Sequence, residues 1–510
     1  MQIENLTILH KKDGREMIRG LSLALRPGDR AALIGEEGDG KSTLLKLLYD
    51  ERLVEDYAEW TGKIRKEGER IAYLAQELSP EETGTTVDRW LQRQGVKREK
   101  TAGALRGSGM ILTREFGERR ISSLSGGEKV KLRLAALAAG EPDVWLLDEP
   151  SNDLDMETLE ALERFLLGLR KPVLYVSHDR RLLERTANRV VHVESIKRRT
   201  ESRVTVSGEG YRDYVASREE AFVREERIAR KEHEEFREKK ERWDRIYRQV
   251  DKAQENASRA EGGDHIGRLL KKKMHAVKSM GRRLEKEEAA LTHRPEKEEA
   301  IVVKFRPESA IPQGKRVLEF SLPELSAGEK VLARDVFLRI TGPEKVAVVG
   351  KNGAGKTTLL RLIARETAER RDIRAAYMPQ DYRELLGAEK DPVSFLAKTG
   401  DREEITRLRT FLGGMRYTAG EMSHPVEELS GGQKAKLILL KMMEERASFL
   451  ILDEPTRNLS PLSGPVIAAL LRDFPGAILM TSHDRAFLEE VPDRILELTE
   501  EGLRERKSLD

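Results

Sequence analysis

One set of sequence motifs occurs twice in this chain, at the same spacing each time. The first copy is Ser125-Gly126-Gly127, Asp148-Glu149 and His178, and the second is Ser430-Gly431-Gly432, Asp453-Glu454 and His483. In both copies 24 residues separate the serine from the glutamate and 29 separate the glutamate from the histidine. Agreement at two intervals indicates the duplication of a whole domain. A chain of 510 residues is long enough for two such domains and a connector.

Composition excludes several classes of protein. The chain has no cysteine, so disulfides, cysteine-bound zinc and iron–sulfur clusters are excluded. Its net charge of +3 does not by itself indicate a nucleic-acid partner. The first residues lack the basic and apolar segments of a signal peptide, and no apolar run approaches the roughly 18 residues of a spanning helix. We expect a soluble, cytoplasmic protein with no membrane partner.

Apolar runs of four residues precede the motifs in both halves. Residues 31–34 come before a glycine-rich loop and 144–147 before Asp148, while 346–349 and 449–452 occupy the matching places. Such runs are typical of buried parallel strands. The sequence therefore predicts an α/β fold with two P-loop NTPase domains, at 1–215 and 298–510, joined by a helical linker at 216–297.

The linker carries an apolar residue every seven positions on either side of a break. These residues are Phe222, Ala229, Phe236, Trp243 and Val250, then Leu270, Val277, Leu284 and Leu291. A seven-residue repeat is typical of supercoiled helices, and Gly262-Gly263-Asp264 supplies turn residues between them. We predict an antiparallel coiled-coil hairpin with its tip near 257–268. At ~1.5 Å per residue the shorter helix would extend roughly 35 to 40 Å.

Each half contains a glycine-rich loop that ends in lysine and a hydroxyl residue, directly after an apolar run. Glycines allow backbone N–H groups to surround phosphate oxygens at a helix N-terminus, the lysine reaches the outer phosphates, and the hydroxyl binds Mg²⁺. The candidate ATP-binding residues of the loops are Gly35, Gly38, Gly40, Lys41, Ser42 and Thr43 in the first half, and Gly350, Gly353, Gly355, Lys356, Thr357 and Thr358 in the second.

The acidic pairs supply candidate catalytic groups. Asp148 and Asp453 each close an apolar run, where a carboxylate can hold the metal or its water shell. Glu149 and Glu454 come next and are placed to orient or deprotonate an attacking water. His178 and His483 follow another apolar run and can contact the same phosphate, although a single histidine is more often structural.

Leu124-Ser125-Gly126-Gly127-Glu128 and Leu429-Ser430-Gly431-Gly432-Gln433 resemble the signature of ATP-binding cassette ATPases. The resemblance implies a monomer whose two cassettes sandwich two ATP molecules head to tail, with Mg²⁺ as cofactor. Ser125 and Gly127 would then complete the site of the second P-loop, and Ser430 and Gly432 that of the first. The implied metal-binding residues are Ser42, Gln76 and Asp148 in one site, and Thr357, Gln380 and Asp453 in the other.

The charged linker resembles that of the ABC-F class, and no extra arm interrupts either cassette. The string from Thr456 to Ser463 is similar to the second cassette of ABC-F proteins that confer resistance to pleuromutilin, lincosamide and streptogramin A antibiotics by ribosome protection. This resemblance implies a hairpin that enters the ribosomal E site, near large-subunit rRNA and the P-site tRNA. The candidate RNA-binding residues are Arg259, Arg268, Lys271, Lys272 and Lys273.

Three alternatives remain open from the sequence. The chain could be an ABC-F translation factor without a drug role, or the tandem ATPase subunit of a transporter. The basic residues of the linker could simply be solvated.

Two departures from the family pattern also predict unequal halves. The aromatic residue expected to stack on adenine falls near His10 in the first half and is absent around 325–328 in the second, which leaves ATP over GTP preference open. Ser460 replaces an acidic residue that the first half keeps as Asp155.

Overall fold

The computed structural model describes residues 1–107, 110–152, 154–196, 201–258, 264–291, 305, 307–328, 330–387, 390–415 and 417–506. The chain divides into two compact units: Met1–Tyr211 together with Glu298–Asp510, and Arg212–Lys297. Both cassettes thus belong to one unit. None of the helices within the described ranges combines the length and apolar composition that a membrane crossing requires.

The first cassette is built on a six-stranded sheet of order β5-β6-β7-β3-β8-β9, parallel except for the antiparallel strand β9. A second, antiparallel sheet has the order β2-β1-β4. The strands are β1 (Gln2–His10), β2 (Glu16–Ala24), β3 (Arg30–Ile34), β4 (Ala58–Arg65), β5 (Ile71–Leu74), β6 (Val144–Asp148), β7 (Val173–Val176), β8 (Arg189–Ile196) and β9 (Glu201–Ser207). The predicted apolar runs lie in β3 and β6, which are buried on both faces.

Helices cover the first sheet and form a separate layer that carries the signature. They are α1 (Lys41–Tyr49), α2 (Pro80–Thr83), α3 (Val87–Arg93), α4 (Arg98–Gly107), α5 (Arg114–Glu118), α6 (Gly126–Ala139), α7 (Met156–Gly168) and α8 (Arg180–Thr186). Val87, Trp90, Leu105 and Leu132 are buried in a core of their own, which joins α3, α4 and α6. The first P-loop lies between β3 and α1.

The second cassette repeats this topology. Its six-stranded sheet has the order β13-β14-β15-β12-β16-β17, and β10 pairs with β11 as a separate hairpin. The strands are β10 (Arg316–Ala327), β11 (Lys330–Thr341), β12 (Lys345–Val349), β13 (Ala375–Met378), β14 (Phe449–Asp453), β15 (Ala477–Thr481), β16 (Arg494–Thr499) and β17 (Gly502–Arg506). The helices following the linker are α11 (Lys356–Ala368), α12 (Pro392–Leu396), α13 (Arg402–Gly414), α14 (Gly431–Glu444), α15 (Gly464–Arg472) and α16 (Arg485–Glu490). The predicted fold class, two P-loop NTPase domains, is confirmed.

The linker forms two long helices, α9 (Tyr211–Ser258) and α10 (Asp264–Ala290). Lys240 pairs with Glu288 at 3.1 Å, whereas Trp243, further along α9, donates a hydrogen bond of 2.8 Å to the carbonyl of Val277, further back along α10. The helices are therefore antiparallel. Helix α9 begins at Tyr211, five residues before the predicted linker. Residues 259–263 of the predicted tip, which include Arg259 and the Gly262-Gly263 turn, lie outside the described residues.

Candidate functional site

Both P-loops lie between a buried strand and a helix, as predicted from the apolar runs. Gly38 and Gly40 have φ of 89° and 85°, and Gly353 and Gly355 have 81° and 101°, a region that favours glycine over residues with a Cβ. The P-loop lysines fold back onto their own loops. Lys41 Nζ donates to the carbonyls of Gly35 and Glu36 at 2.9 and 2.8 Å. Lys356 Nζ donates to those of Gly350 and Lys351 at 2.7 and 3.1 Å.

The two aspartates at the strand ends are almost fully buried. Ser42 Oγ donates a hydrogen bond of 2.9 Å to Asp148 Oδ1, and burial raises the pKa of Asp148 to about 6. In the second cassette Thr481 Oγ1 donates to Asp453 Oδ1 at 2.6 Å, while Asp453 Oδ2 has no hydrogen-bond partner among the described residues. A buried carboxylate oxygen without a donor is costly, and a bound cation or its water would satisfy it.

These residues fit a Mg²⁺ ion that is held mainly by the nucleotide. Among the described residues no group of three or more acidic or histidine side chains could hold a metal by itself. Mg²⁺ at nucleotide sites commonly takes only one or two protein ligands beside phosphates and waters, and the contacting pair of Ser42 and Asp148 matches that need. Gln76 and Ser42 line one cleft over the first P-loop. Thr357 is the second residue of α11, and Gln380 follows β13 by two residues.

The candidate catalytic glutamates both have left-handed backbone conformations, with φ of 51° at Glu149 and 54° at Glu454. Such a conformation costs a non-glycine residue free energy of the order of 1 kcal/mol or more and is concentrated at functional sites. His178 Nε2 lies 2.8 Å from Glu149 Oε1. Glu454 Oε2 accepts a 3.1 Å hydrogen bond from the backbone N–H of His483. The structure thus brings each predicted histidine to its predicted glutamate.

Burial and neighbouring charge shift the acid–base groups of the two sites. Burial raises the pKa of Glu454 to about 7, with the neighbouring Asp453 carboxylate acting in the same direction. Burial alone would lower the pKa of His178, but the adjoining Glu149 carboxylate offsets it and the net effect is upward. Burial lowers the pKa of Lys356, against the opposing charges of nearby carboxylates. A carboxyl group with a pKa near neutrality, such as that of Glu454, is suited to proton transfer.

Ser125 and Ser430 are the N-caps of the signature helices α6 and α14, and each forms a capping box with the residue three positions on, Glu128 or Gln433. The second signature faces the first P-loop, because the N–H of Gly432 donates a hydrogen bond of 3.1 Å to Glu37 Oε2. At the other site, Asp155 of the first cassette lies close enough to Lys356 for its negative charge to act on the pKa of the lysine, in the upward direction. Residues from both cassettes therefore meet at each P-loop.

A cleft of about 340 Å³ lies over the first P-loop and is lined by Lys41, Ser42, Thr43, Gln76, Glu149 and His178. His10 also lines it, as predicted, and so does Tyr57, which the sequence analysis did not single out. Met17 packs against Gly40, and Leu325 and Leu332 occupy the matching place at Gly355. Arg457 and Asn458 complete the wall from the second cassette.

The sequence analysis missed Glu36 and Glu37, which contact the opposite cassette. The signal for them was present, since carboxylates are unexpected in a loop that surrounds phosphate. Of the candidate RNA-binding residues, Arg268, Lys271, Lys272 and Lys273 are exposed on α10. Arg259 lies outside the described residues.

Comparisons with known proteins agree with this geometry. The family model described as ABC transporter matches residues 18–152 and 333–457. The chain is 30% identical to the ATP-binding protein Uup of Caulobacter vibrioides, over 96% of this chain and 76% of Uup. It is 29% identical to the ribosome protection protein VmlR of Bacillus subtilis, over 99% of this chain and 88% of VmlR. The archaeal ribosome recycling factor aABCE1, solved in complex with the ribosomal stalk protein aP1, has a similar fold, with a TM-score of 0.60 and 17% identity over 98% of this chain and 89% of that one.

The similarity to Uup and VmlR extends through the linker as well as both cassettes, since it covers nearly the whole chain. The doubled P-loop, the two strand-end carboxylate pairs and the two capped signature helices are the parts with which cassette proteins bind and hydrolyse ATP. The chain is therefore an ATPase and belongs to the ABC-F family of tandem ATP-binding cassette proteins.

Proposed function

We propose that this ATPase binds the ribosome when its cassettes close on ATP and Mg²⁺. The linker hairpin then enters the E site toward large-subunit rRNA and the P-site tRNA, and protects translation from pleuromutilin, lincosamide and streptogramin A antibiotics. Its similarity to VmlR, a ribosome protection protein of comparable length, supports the drug-related part of this proposal.

The main observation in favour of the ribosome as partner is the positive charge of α10. Lys271, Lys272 and Lys273 are consecutive, exposed and make no ion pair with the described residues, and Lys278, Arg282 and Arg283 are exposed on the same helix. Lysines further from the predicted tip differ: Lys239 and Lys240 pair with Glu287 and Glu288. Unpaired cations are free to neutralise phosphates, and binding of this kind weakens as salt releases the phosphate counterions.

Co-sedimentation with purified ribosomes tests the partner. We expect the double variant E149Q/E454Q, which should bind ATP without hydrolysing it, to co-sediment with ribosomes in the presence of ATP and not in its absence. Adding K271E/K272E/K273E should strongly weaken co-sedimentation, and the binding that remains should depend less on salt. A matched control, K231E/K239E/K240E, makes the same charge change where the lysines already have carboxylate partners, and should retain binding. Failure of E149Q/E454Q to co-sediment would refute the proposal.

Drug susceptibility tests the second part separately. Bacteria that express the wild-type chain should tolerate higher concentrations of the three antibiotic classes than bacteria that express the K271E/K272E/K273E variant at equal level. If the two strains are equally susceptible although the wild-type chain binds ribosomes, the result would favour the alternative that the chain is an ABC-F translation factor without a drug role.

A further inference from the structure

The two P-loops carry opposite charge. Residues 35–42 include Glu36, Glu37, Asp39 and a single lysine, which gives a net charge of −2, whereas residues 350–357 include Lys351 and Lys356 and no carboxylate, which gives +2. Both loops would nevertheless hold the same ligand, the negatively charged triphosphate of ATP. A difference of four charges at contact distance strongly disfavours phosphate at the first loop relative to the second.

The carboxylate of Glu37 already occupies a place suited to an anion. Its Oε2 accepts the Gly432 N–H at 3.1 Å, in the first turn of the 14-residue helix α14. Amides in the first turn of a helix have no partner within the helix and carry the positive end of the helix dipole. They are the groups that bind phosphate in other proteins. A side-chain carboxylate offers the same charge-assisted hydrogen bond from within the protein.

Glu36 makes a second contact across the same interface. It is 4% exposed, and its Oε1 accepts hydrogen bonds from the hydroxyls of Ser460, at 2.9 Å, and Ser463. Ser460 is the residue that replaces the acidic one expected in this segment. An aspartate there would place two carboxylates together in a buried contact, which is unfavourable. At the other site, Asp155 at the corresponding position faces the cationic Lys356. The neutral Ser460 thus lies against the acidic first P-loop, and the carboxylate of Asp155 lies near the basic second P-loop.

We propose that Glu37 is a built-in substitute for the terminal phosphate of ATP, which closes the first composite site on the second signature without nucleotide and makes that site the weaker of the two for ATP. ATP binds tightly at the second site, formed by Lys356, Thr357 and Glu454 with Ser125 and Gly127. The first site retains Lys41 and Glu149, so ATP enters it only at higher concentration and after displacing Glu37. This inference concerns nucleotide binding by the chain alone and does not rest on the ribosome as partner.

Equilibrium dialysis with a non-hydrolysable ATP analogue and Mg²⁺ tests the inference on the full chain. For the wild type we expect one tight site and a second at least tenfold weaker. The variant E37N/D39A installs the residues that the second loop carries at Asn352 and Ala354, and its two sites should become equal within about threefold. The control E51N removes an exposed carboxylate outside the loop and should leave the wild-type pattern unchanged.

Three further variants assign the sites. K356A should abolish the tight site and K41A should leave it, whereas N352E should weaken the tight site by at least tenfold. Circular dichroism verifies that each variant is folded. Two equal sites in the wild type, or an unchanged weak site in folded E37N/D39A, would overturn the inference. Either result would leave the proposal of ribosome binding untouched.

Discussion

At the scale of single residues, Glu149 and Glu454 each contact the histidine of their own cassette and have the same strained backbone, yet they belong to sites of unequal charge. If the second site binds and hydrolyses most of the ATP, E454Q should lower steady-state phosphate release by roughly 10²-fold or more, the contribution typical of a general base. E149Q should change the rate by less than about twofold, since its site would be seldom filled. Phosphate release at an ATP concentration just above the tighter dissociation constant measures both. Equal losses in the two variants would contradict unequal sites.

Asp484 predicts a dependence of stability on pH. It caps α16 by accepting the Phe487 N–H at 3.1 Å, and burial, together with the Asp179 carboxylate of the first cassette, raises its pKa from 3.8 to about 7. The folded protein therefore keeps a proton that the unfolded chain has lost, and stability falls as pH rises from about 4 to 7.

The variant D484N retains a capping side chain and removes the charge. Its gain in unfolding free energy over the wild type should be at most about 1.7 kcal/mol at pH 5 and at most about 4 kcal/mol above pH 7, at about 1.4 kcal/mol per pKa unit. Urea unfolding at pH 5, 6, 7 and 8 measures the difference. A gain that is equal at all four values would rule out titration of Asp484 as the cause.

The sequence supplied the candidate residues of each site, and the signature resemblance implied that Ser430 and Gly432 complete the first one, but neither predicted a contact between Gly432 and Glu37. Asp148, Glu149 and His178 come together because each ends or follows a neighbouring parallel strand, which is a local consequence of the apolar runs. The contact between Glu37 and Gly432 joins residues 395 positions apart and depends on how two folded cassettes meet. No periodicity or motif specifies that contact.

At the scale of elements, the seven-residue repeat predicted the packed face of the hairpin well at its centre. Phe236, Val277 and Leu284 are buried, whereas Val250 and Leu270, nearer the predicted tip, are only half-buried. The repeat did not predict Gly281. A Cβ on this glycine would lie 2.9 Å from the ring of Trp243, so the glycine makes room for the indole.

We therefore expect G281A to destabilise the hairpin, although alanine normally stabilises a helix by about 1 kcal/mol relative to glycine. Trp243 would have to shift and lose its 2.8 Å hydrogen bond to the carbonyl of Val277. Thermal unfolding followed by circular dichroism should show a lower midpoint for G281A. In a W243A background the same substitution should raise the midpoint, because the ring is gone. A stabilising effect in both backgrounds would show that Trp243 does not limit this position.

At the scale of the whole molecule, the matched intervals predicted two copies of one sheet, and the strand orders of the two six-stranded sheets agree strand by strand. They did not predict how far the cassettes have diverged where they meet. Arg485 in the second cassette pairs with Glu163 in the first, but the residue at the position matching Glu163 is Ala468. Arg180, which matches Arg485, pairs instead with Glu490 at 3.0 Å. A duplicated fold thus holds its halves together with unlike contacts.

The pair of Glu163 and Arg485 is almost fully buried at this interface, with exposures of 5% and 8%, and Arg485 lies a further 3.8 Å from Asp179. Glu163 Oε2 also accepts a hydrogen bond of 2.9 Å from Arg185, which is half-exposed, so each single variant leaves one ion pair in place. Removing one member of a buried pair typically costs about 3 to 5 kcal/mol, and the remaining pairs place the cost here at the lower end, whereas replacing both by apolar residues is often neutral. E163L and R485M alone should therefore each lower the resistance of the nucleotide-free cassettes to urea. The double variant E163L/R485M should recover most of that loss, except for the repulsion between Asp179 and Asp484 that Arg485 offsets.

A third change, D484N, removes this repulsion, so E163L/R485M/D484N should match or exceed the wild type at pH 8. If the losses of E163L and R485M simply add, the two side chains do not act as a pair, and the cassettes are joined by their other contacts.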